Sequence, residues 1–440
     1  MPLGRRFPES EDVLRWHLKR PRPSRLAELV LCILATTMVA GSDVQSQQRA
    51  PGLLVGPEQL RAEKGQAVVV LLDVRDSDRY TAGHLPGAVR MSLERVTDIE
   101  DRDELRSFLG HLGLAGSETV VLYGGLGDQE ALGWAFFLLE AAGVEAVKIL
   151  DGGAAAWLQA GGDFETTPRQ PPAVRFDAAP ERAAVVEVTE VETTYGREDI
   201  VLLDVRSPEG WELYKPPPVF VAGHLPDALA YDFAGLLQGK TGWPNPGEAK
   251  TEFARLGPRP DTPIDLGSRF ILYGDDSQDR RVGLAYTLLR LLGLDVRVYR
   301  GGWQEWTGDD GRPVVRIITA RELREIQAAS PSRSAEGYYP LVPIIDVREL
   351  RDWEVGHVPG SFGLPADECA RFLELVRREY WPSADPLRHP LVLYCYGPEC
   401  VRSRDCAVHA ARIGWREILW FRDGVAGWFD AGNPFERVGD

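Results

Sequence analysis

Short apolar runs that end in charged residues or in tyrosine punctuate the chain. Leu71-Leu72-Asp73-Val74-Arg75 recurs as Leu202-Leu203-Asp204-Val205-Arg206 and as Ile344-Ile345-Asp346-Val347-Arg348. Each run suits a buried parallel strand that delivers two charged residues at its carboxyl end. Downstream stand Gly83-His84-Leu85-Pro86, Gly223-His224-Leu225-Pro226 and Gly356-His357-Val358-Pro359. Aspartate and histidine are 11, 20 and 11 residues apart, the longer middle spacing holding an insertion around Lys215-Pro216-Pro217-Pro218. A second apolar run closes on tyrosine in each copy: Val120 to Tyr123, Phe270 to Tyr273 and Leu391 to Tyr394. A polar loop follows, then a helical stretch of small and apolar residues, as in Ala131 to Ala142 and Val282 to Leu292. A last strand ends at Gly152-Gly153, Gly301-Gly302 or Asp423-Gly424, with Trp157, Trp306 and Trp428 four residues on. Tyrosine and the second of these glycines are 30, 29 and 30 residues apart. Strand and helix alternate throughout, which predicts an α/β fold of three tandem domains, each a small parallel sheet flanked by helices. The domains are placed at 52–165, 183–308 and 316–438, with turn-rich stretches between them. Ligands of such sheets bind at the carboxyl ends of the strands.

Composition narrows the classes. With 44% hydrophobic and 26% charged residues in 440, the chain is globular rather than disordered or polytopic. A net charge of −16 argues against a broad nucleic-acid surface. Residues 1–25 carry seven basic residues and Leu29 to Ala40 form a 12-residue apolar run, followed by small and polar residues from Gly41 to Gln48. That is the layout of a secretory signal peptide. Residues 1–48 are accordingly a leader, the mature chain is expected to be periplasmic or secreted without a stable membrane span, and an uncleaved membrane anchor is the alternative. Five cysteines are too few for a disulfide scaffold, and four of them, at 369, 395, 400 and 406, fall in the last quarter. Cys395, Cys400, Cys406 and His409 have spacings that match no zinc knuckle, so no metal and no other cofactor is expected.

In this order and at these spacings, the Asp-Val-Arg, Gly-His-Leu-Pro-Gly-Ala, tyrosine-loop and Gly-Gly-x-x-x-Trp series resembles the rhodanese family of sulfurtransferases, across nearly all of the mature chain. The resemblance implies a nucleophilic cysteine directly after the tyrosine strand, which takes up sulfur as a persulfide, and an arginine at the loop end. A thiol needs positive potential to ionise at neutral pH, and loop N–H groups, a helix amino terminus and a guanidinium fork supply it for an oxyanion such as thiosulfate. Gly124 and Gly274 stand in the cysteine's place in the first two copies, Gln129 replaces the arginine in the first, and Asp128 and Glu130 add negative charge there. Both domains are expected to be catalytically silent. The third has Cys395-Tyr396-Gly397-Pro398-Glu399-Cys400-Val401-Arg402-Ser403.

Cys395, Cys400 and Arg402 are therefore the candidate catalytic residues, with Tyr396, Gly397, Glu399, Val401 and Ser403 as candidate substrate contacts. Cys395 directly follows the strand, whereas Cys400 is nearer the helix; Cys400 serves as nucleophile, as the thiol that resolves a persulfide, or as a disulfide partner. Cys395 and Arg402 are seven residues apart, two more than in the usual family loop, and longer loops occur in rhodanese-like phosphatases and arsenate reductases. The third domain also resembles exported rhodanese-like proteins, linked to quinoprotein alcohol oxidation, whose loop carries paired cysteines followed by tryptophan; Val401 replaces that tryptophan. Asp346, Arg348 and His357 recur in the silent copies and are expected to be structural. Cys406 is expected to pack as a buried thiol, and Cys369 has no assigned role. The expected function is sulfane-sulfur transfer from a donor such as thiosulfate to a thiol acceptor through a persulfide in the third domain. A non-catalytic binding or assembly protein with a redox cysteine pair, engaging partners through the first two domains, is the competing expectation, and an arsenate reductase or phosphatase a weaker one.

Overall fold

The computed structural model describes residues 52–64, 69–95, 102–179, 184–206, 223–237, 243–255, 263–309, 311–329, 342–379 and 390–438. The leader and Cys32 lie outside the described residues. In the first domain the strands are β1 (Leu54–Val55), β2 (Val69–Asp73), β3 (Val89–Arg90), β4 (Thr119–Tyr123) and β5 (Ala146–Leu150). The second has β6 (Val185–Val186), β7 (Ile200–Asp204), β8 (Leu229–Ala230), β9 (Arg269–Tyr273) and β10 (Val296–Tyr299). The third has β11 (Val314–Ile317), β12 (Ile344–Asp346), β13 (Phe362–Gly363), β14 (Leu391–Tyr394) and β15 (Glu417–Phe421). Each set forms a five-stranded sheet of one order: β1-β5-β4-β2-β3, β6-β10-β9-β7-β8 and β11-β15-β14-β12-β13. All pairings within the sheets are parallel. Parallel strands must be covered on both faces, which is why these runs are continuously apolar instead of alternating.

Register brings the two kinds of strand end together. Asp73 lies opposite Tyr123, Asp204 opposite Tyr273 and Asp346 opposite Tyr394. The Asp346 carboxylate accepts the Arg348 backbone N–H at 3.0 Å and its guanidinium at 2.6 Å, and the same guanidinium donates to the Gly356 carbonyl at 2.7 Å. Asp73 and Arg75 repeat this with Gly83, and Asp204 and Arg206 with Gly223. The tyrosine hydroxyl joins in. Tyr273 donates to Asp204 at 2.5 Å and accepts the Leu225 N–H at 3.2 Å, while Tyr123 and Tyr394 accept from Leu85 and Val358 at 3.1 Å. Burial and the adjacent carboxylate raise the ionisation of all three phenols above the usual tyrosine value, so they stay neutral donors. In the third domain His357 donates from Nδ1 to the Trp353 carbonyl at 2.7 Å and stacks on that indole. Trp157, Trp306 and Trp428 are buried, each donating its indole N–H to a backbone carbonyl.

The first two domains share one continuous apolar core. Helix Gln129–Ala142 crosses helix Arg280–Leu291 at two glycines. A Cβ on Gly133 would lie 2.6 Å from the Leu284 Cα, and one on Gly283 2.5 Å from the Trp134 Cα, so only glycine permits this approach. Glu140 seals the crossing, accepting from Tyr286 at 2.8 Å and from Arg290 at 2.8 and 2.9 Å.

The third domain is joined to the second differently. His84 and His357 exchange backbone hydrogen bonds with Glu165 and Glu436, beyond the last strand of their own domains. His224 exchanges them with Val315, in β11, so the strand that opens the third sheet also closes the second domain. Arg404 donates to the Asp227 carboxylate at 2.5 Å, and Arg412 donates to the Tyr195 and Gly196 carbonyls. Asp227 is the one non-glycine residue with positive φ (67°) among the described residues, a conformation that costs free energy and is held here by its contacts. Among the described residues no helix is long and apolar enough to cross a membrane.

Two outcomes follow from these junctions. Gly133→Val overpacks the helix crossing and is expected to cost about 1–3 kcal/mol, read as a lowered denaturant midpoint. His224 is buried beside Arg206, Arg404 and Arg422; desolvation first, and those charges second, bring its pKa from 6.5 to about 3. The unfolded chain takes up this proton near 6.5, so the stability tied to neutral His224 is complete above that pH and is lost as pH falls toward 3. Thermal unfolding from pH 7 to 4 should show a shallower acid loss in His224→Gln than in the parent.

Candidate functional site

At the carboxyl edge of each sheet the tyrosine strand turns through a loop into a helix: Gln129–Ala142, Arg280–Leu291 or Arg402–Arg412. The first loop residue is gripped from the far side. Its carbonyl accepts a backbone N–H at 2.9 Å in each copy, Ala154 to Gly124, Trp303 to Gly274 and Val425 to Cys395. The residue before each donor is a glycine at φ 55°, 59° and 58°. A Cβ there would come within 2.2, 2.7 and 2.3 Å of that same carbonyl, which accounts for the Gly-Gly or Asp-Gly signature and its fixed distance from the tyrosine.

The first two loops are filled by their own carboxylates. Asp128, at the start of its helix, accepts the Gly125 N–H at 2.7 Å and both terminal nitrogens of Arg79 at 2.8 Å. Asp279, at the equivalent place, accepts the Asp275 N–H at 2.8 Å and the Arg281 backbone and guanidinium N–H groups. In both, an internal carboxylate takes a loop N–H and an arginine that an external anion would otherwise meet. The sequence presents Asp128 as negative charge; the legible signal is an aspartate one residue before the helix in both copies whose loop lacks cysteine. Val401 holds that position in the third copy and offers no side-chain acceptor.

The third loop brings sulfur together. Cys395 is 1% exposed and is disulfide-bonded to the partly exposed Cys400, with Cα atoms 6.2 Å apart. The Cys400 N–H donates to the Gly397 carbonyl at 3.0 Å. Tyr396 leans over the site, its hydroxyl donating to Asp352 and its ring centroid 5.5 Å from the Arg348 guanidinium and 6.0 Å from that of Arg402. Burial and the Asp352 carboxylate raise its phenol above the ordinary value. Arg402 donates to Glu349 at 2.7 Å. Both partners are two-fifths or more exposed (40% and 47%), so the pair is worth about 0–1 kcal/mol and holds the guanidinium loosely. Glu399 is exposed at the loop tip. Ser403 is not brought to the mouth: it is buried, and its hydroxyl accepts the Trp420 indole N–H at 2.9 Å.

Besides Ser403, the expectation for Cys406 is corrected. Cys406 is buried but is not an inert thiol; it is disulfide-bonded to Cys369, across 37 residues, with Cα atoms 5.8 Å apart. Cys369 opens helix Cys369–Glu379, which packs beside the loop helix, so the bond ties the two together at the sheet face. Among the described residues no group of His, Cys, Asp and Glu side chains is arranged to hold a metal ion.

Compared with known families, the chain matches the rhodanese-like domain at residues 56–160, 187–309 and 321–431. It is 30% identical over 267 residues to SseB of Mycobacterium tuberculosis, covering 56% of this chain and 91% of that protein. It is 29% identical over 279 residues to the thiosulfate sulfurtransferase of Corynebacterium glutamicum (58% and 88% covered). With the 3-mercaptopyruvate sulfurtransferase of Escherichia coli it shares 28% over 257 residues (54% and 85% covered). The solved anaerobic ergothioneine biosynthesis enzyme of Chlorobium limicola superposes with a TM-score of 0.51 at 24% identity, over 60% of this chain and 69% of that one; this likeness concerns the fold alone.

The fit between the first loop residue and its carboxylate is tight in the second domain. A Cβ on Gly274 would lie 2.3 Å from the Asp279 Oδ2, so Gly274→Cys should lower the melting temperature. Asp279→Gly removes four hydrogen bonds along with the clash, so Gly274→Cys combined with Asp279→Gly should melt higher than the sum of the two single losses predicts, and an unchanged melting temperature in Gly274→Cys alone would contradict the tight fit.

Proposed function

This chain belongs to the rhodanese-like domain family, and on that premise we propose that it is an exported sulfurtransferase whose chemistry is confined to the third domain. The observation that carries the reading is the contrast at one position of the loop. Where the first two domains present Asp128 and Asp279 to their own loop N–H groups, the third presents Val401, together with two sulfurs at Cys395 and Cys400. The reduced Cys395 thiolate attacks the outer sulfur of a donor such as thiosulfate. The donor S–S bond breaks, sulfite leaves with the electron pair, and a persulfide remains on Cys395. Arg402, weakly held by Glu349, turns to the sulfonate oxygens, and Tyr396 covers the loop. The outer sulfur then passes to a thiol acceptor. The curated relatives named as thiosulfate and 3-mercaptopyruvate sulfurtransferases support the reaction class. The basic and apolar layout of residues 1–48 supports export, to a compartment that permits disulfides.

A second reading has its own observation. The two carboxylate-filled loops suit domains that serve as scaffold or binding surface, with the cysteine pair acting only in redox.

The readings part on sulfur uptake. Protein reduced at Cys395–Cys400 and given thiosulfate and cyanide should yield thiocyanate, and Cys395→Ser should abolish it, a loss of at least a hundredfold. No thiocyanate from the reduced parent protein, and no sulfur adduct by intact mass in Cys400→Ser, would leave the binding reading standing.

A further inference from the structure

Cys395 and Cys400 are bonded directly, so the Cys400 sulfur reaches the Cys395 Sγ without rearrangement of the loop. The two differ in access: Cys395 is buried and Cys400 is partly exposed. An outside thiol therefore meets Cys400 first. The other cysteines of the domain do not compete, because Cys369 and Cys406 are fully buried and bonded to each other. Helix Gln129–Ala142 and helix Arg280–Leu291, the loop helices of the other two domains, contain no cysteine at all. A thiol five residues away also has an effective concentration that a dilute acceptor does not match, in the millimolar range or above for short linkages.

We propose that the third domain discharges its own persulfide and takes an external dithiol as its second substrate, an inference that rests on the sulfurtransferase reading above. The Cys395 thiolate first takes the outer sulfur of thiosulfate and releases sulfite. The Cys400 thiolate then attacks the Cys395 Sγ, the inner sulfur of the persulfide. The bond between inner and outer sulfur breaks, and hydrosulfide leaves with the electron pair and the proton that Cys400 gave up. The product is the Cys395–Cys400 disulfide present in the structure. The dithiol attacks the accessible Cys400 sulfur, is oxidised to its own disulfide and returns both cysteines to thiols. Overall, thiosulfate and a dithiol become sulfite, sulfide and a disulfide. The chain thus reduces thiosulfate to free sulfide whenever no acceptor concentrated enough to outrun Cys400, such as excess cyanide, intercepts the persulfide.

The test uses the whole chain, reduced at the loop pair, freed of reductant without oxygen, and given thiosulfate alone. Sulfide is measured colorimetrically and the protein by intact mass and peptide mapping. The parent protein should release sulfide in a stoichiometric burst, keep no lasting adduct and end with Cys395 and Cys400 bonded. Cys400→Ser, and Cys400→Ala as a check on side-chain polarity, should hold one sulfur on Cys395 and release no sulfide until a dithiol such as dithiothreitol is added. A parent protein that keeps its sulfur adduct as stably as Cys400→Ser overturns the internal discharge and leaves the sulfurtransferase reading intact. Absence of an adduct in both Cys400 variants, with no sulfide from the parent, overturns the sulfurtransferase reading itself. Counting thiols in the folded variants, which should show Cys369–Cys406 still bonded, separates either result from misfolding.

Discussion

A buried carboxylate at the end of one strand organises each of the three domains. Asp73, Asp204 and Asp346 are fully buried, and each is satisfied by an arginine two residues on, while a tyrosine closes the adjacent strand. The arginine also captures the glycine carbonyl before the histidine turn, and the tyrosine hydroxyl accepts the N–H just after that histidine. Three segments far apart in sequence are thus held to one point. Losing one partner of such a buried pair typically costs about 3–5 kcal/mol, because the other is left charged and dry. The arrangement is the same whether or not the loop above it carries sulfur, which identifies it as the foundation of the edge and separates it from the chemistry.

What differs among the domains is what fills the loop. A loop of converging N–H groups at a helix start attracts negative charge, and something must answer it. In the first two domains the chain supplies its own aspartate, tied down by Arg79 or Arg281. In the third that residue is apolar and sulfur takes up the space. These two loops therefore differ from the third in more than the lack of a cysteine. The cradle is occupied, and the glycine that replaces cysteine has no room for a side chain beside the occupant.

The repeats of Asp-Val-Arg, the tyrosine-ended strands and the glycine signature were legible because each is a short-range pattern whose physical reason is local, and their spacing carried the domain count. Comparison among the three loops singles out the third, where the structure joins Cys395 to Cys400 and pairs Arg402 with Glu349. Other features were not legible. The Cys369–Cys406 bond joins two helices whose adjacency only the packed fold specifies. Asp128 was visible as charge and Asp279 had no reading, because their use as internal ligands depends on a turn that points them back into their own loop. Gly133 and Gly283 looked like ordinary small residues of an apolar helix, and only the crossing of two helices shows why neither carries a side chain. Ser403 was grouped with the loop by sequence position, yet the first turn of its helix rotates it toward Trp420.

Strand β11 has two allegiances: it is hydrogen-bonded along β15 in the third sheet, and Val315 in it exchanges hydrogen bonds with His224 of the second domain. Beads on a string can be cut, shuffled and recombined at the string. Here the string is itself a structural member, so a cut before β11 leaves the second domain open and a cut after it strips the third sheet of its edge. The separable unit is accordingly the pair, since the cysteine-bearing copy holds the strand that closes its neighbour.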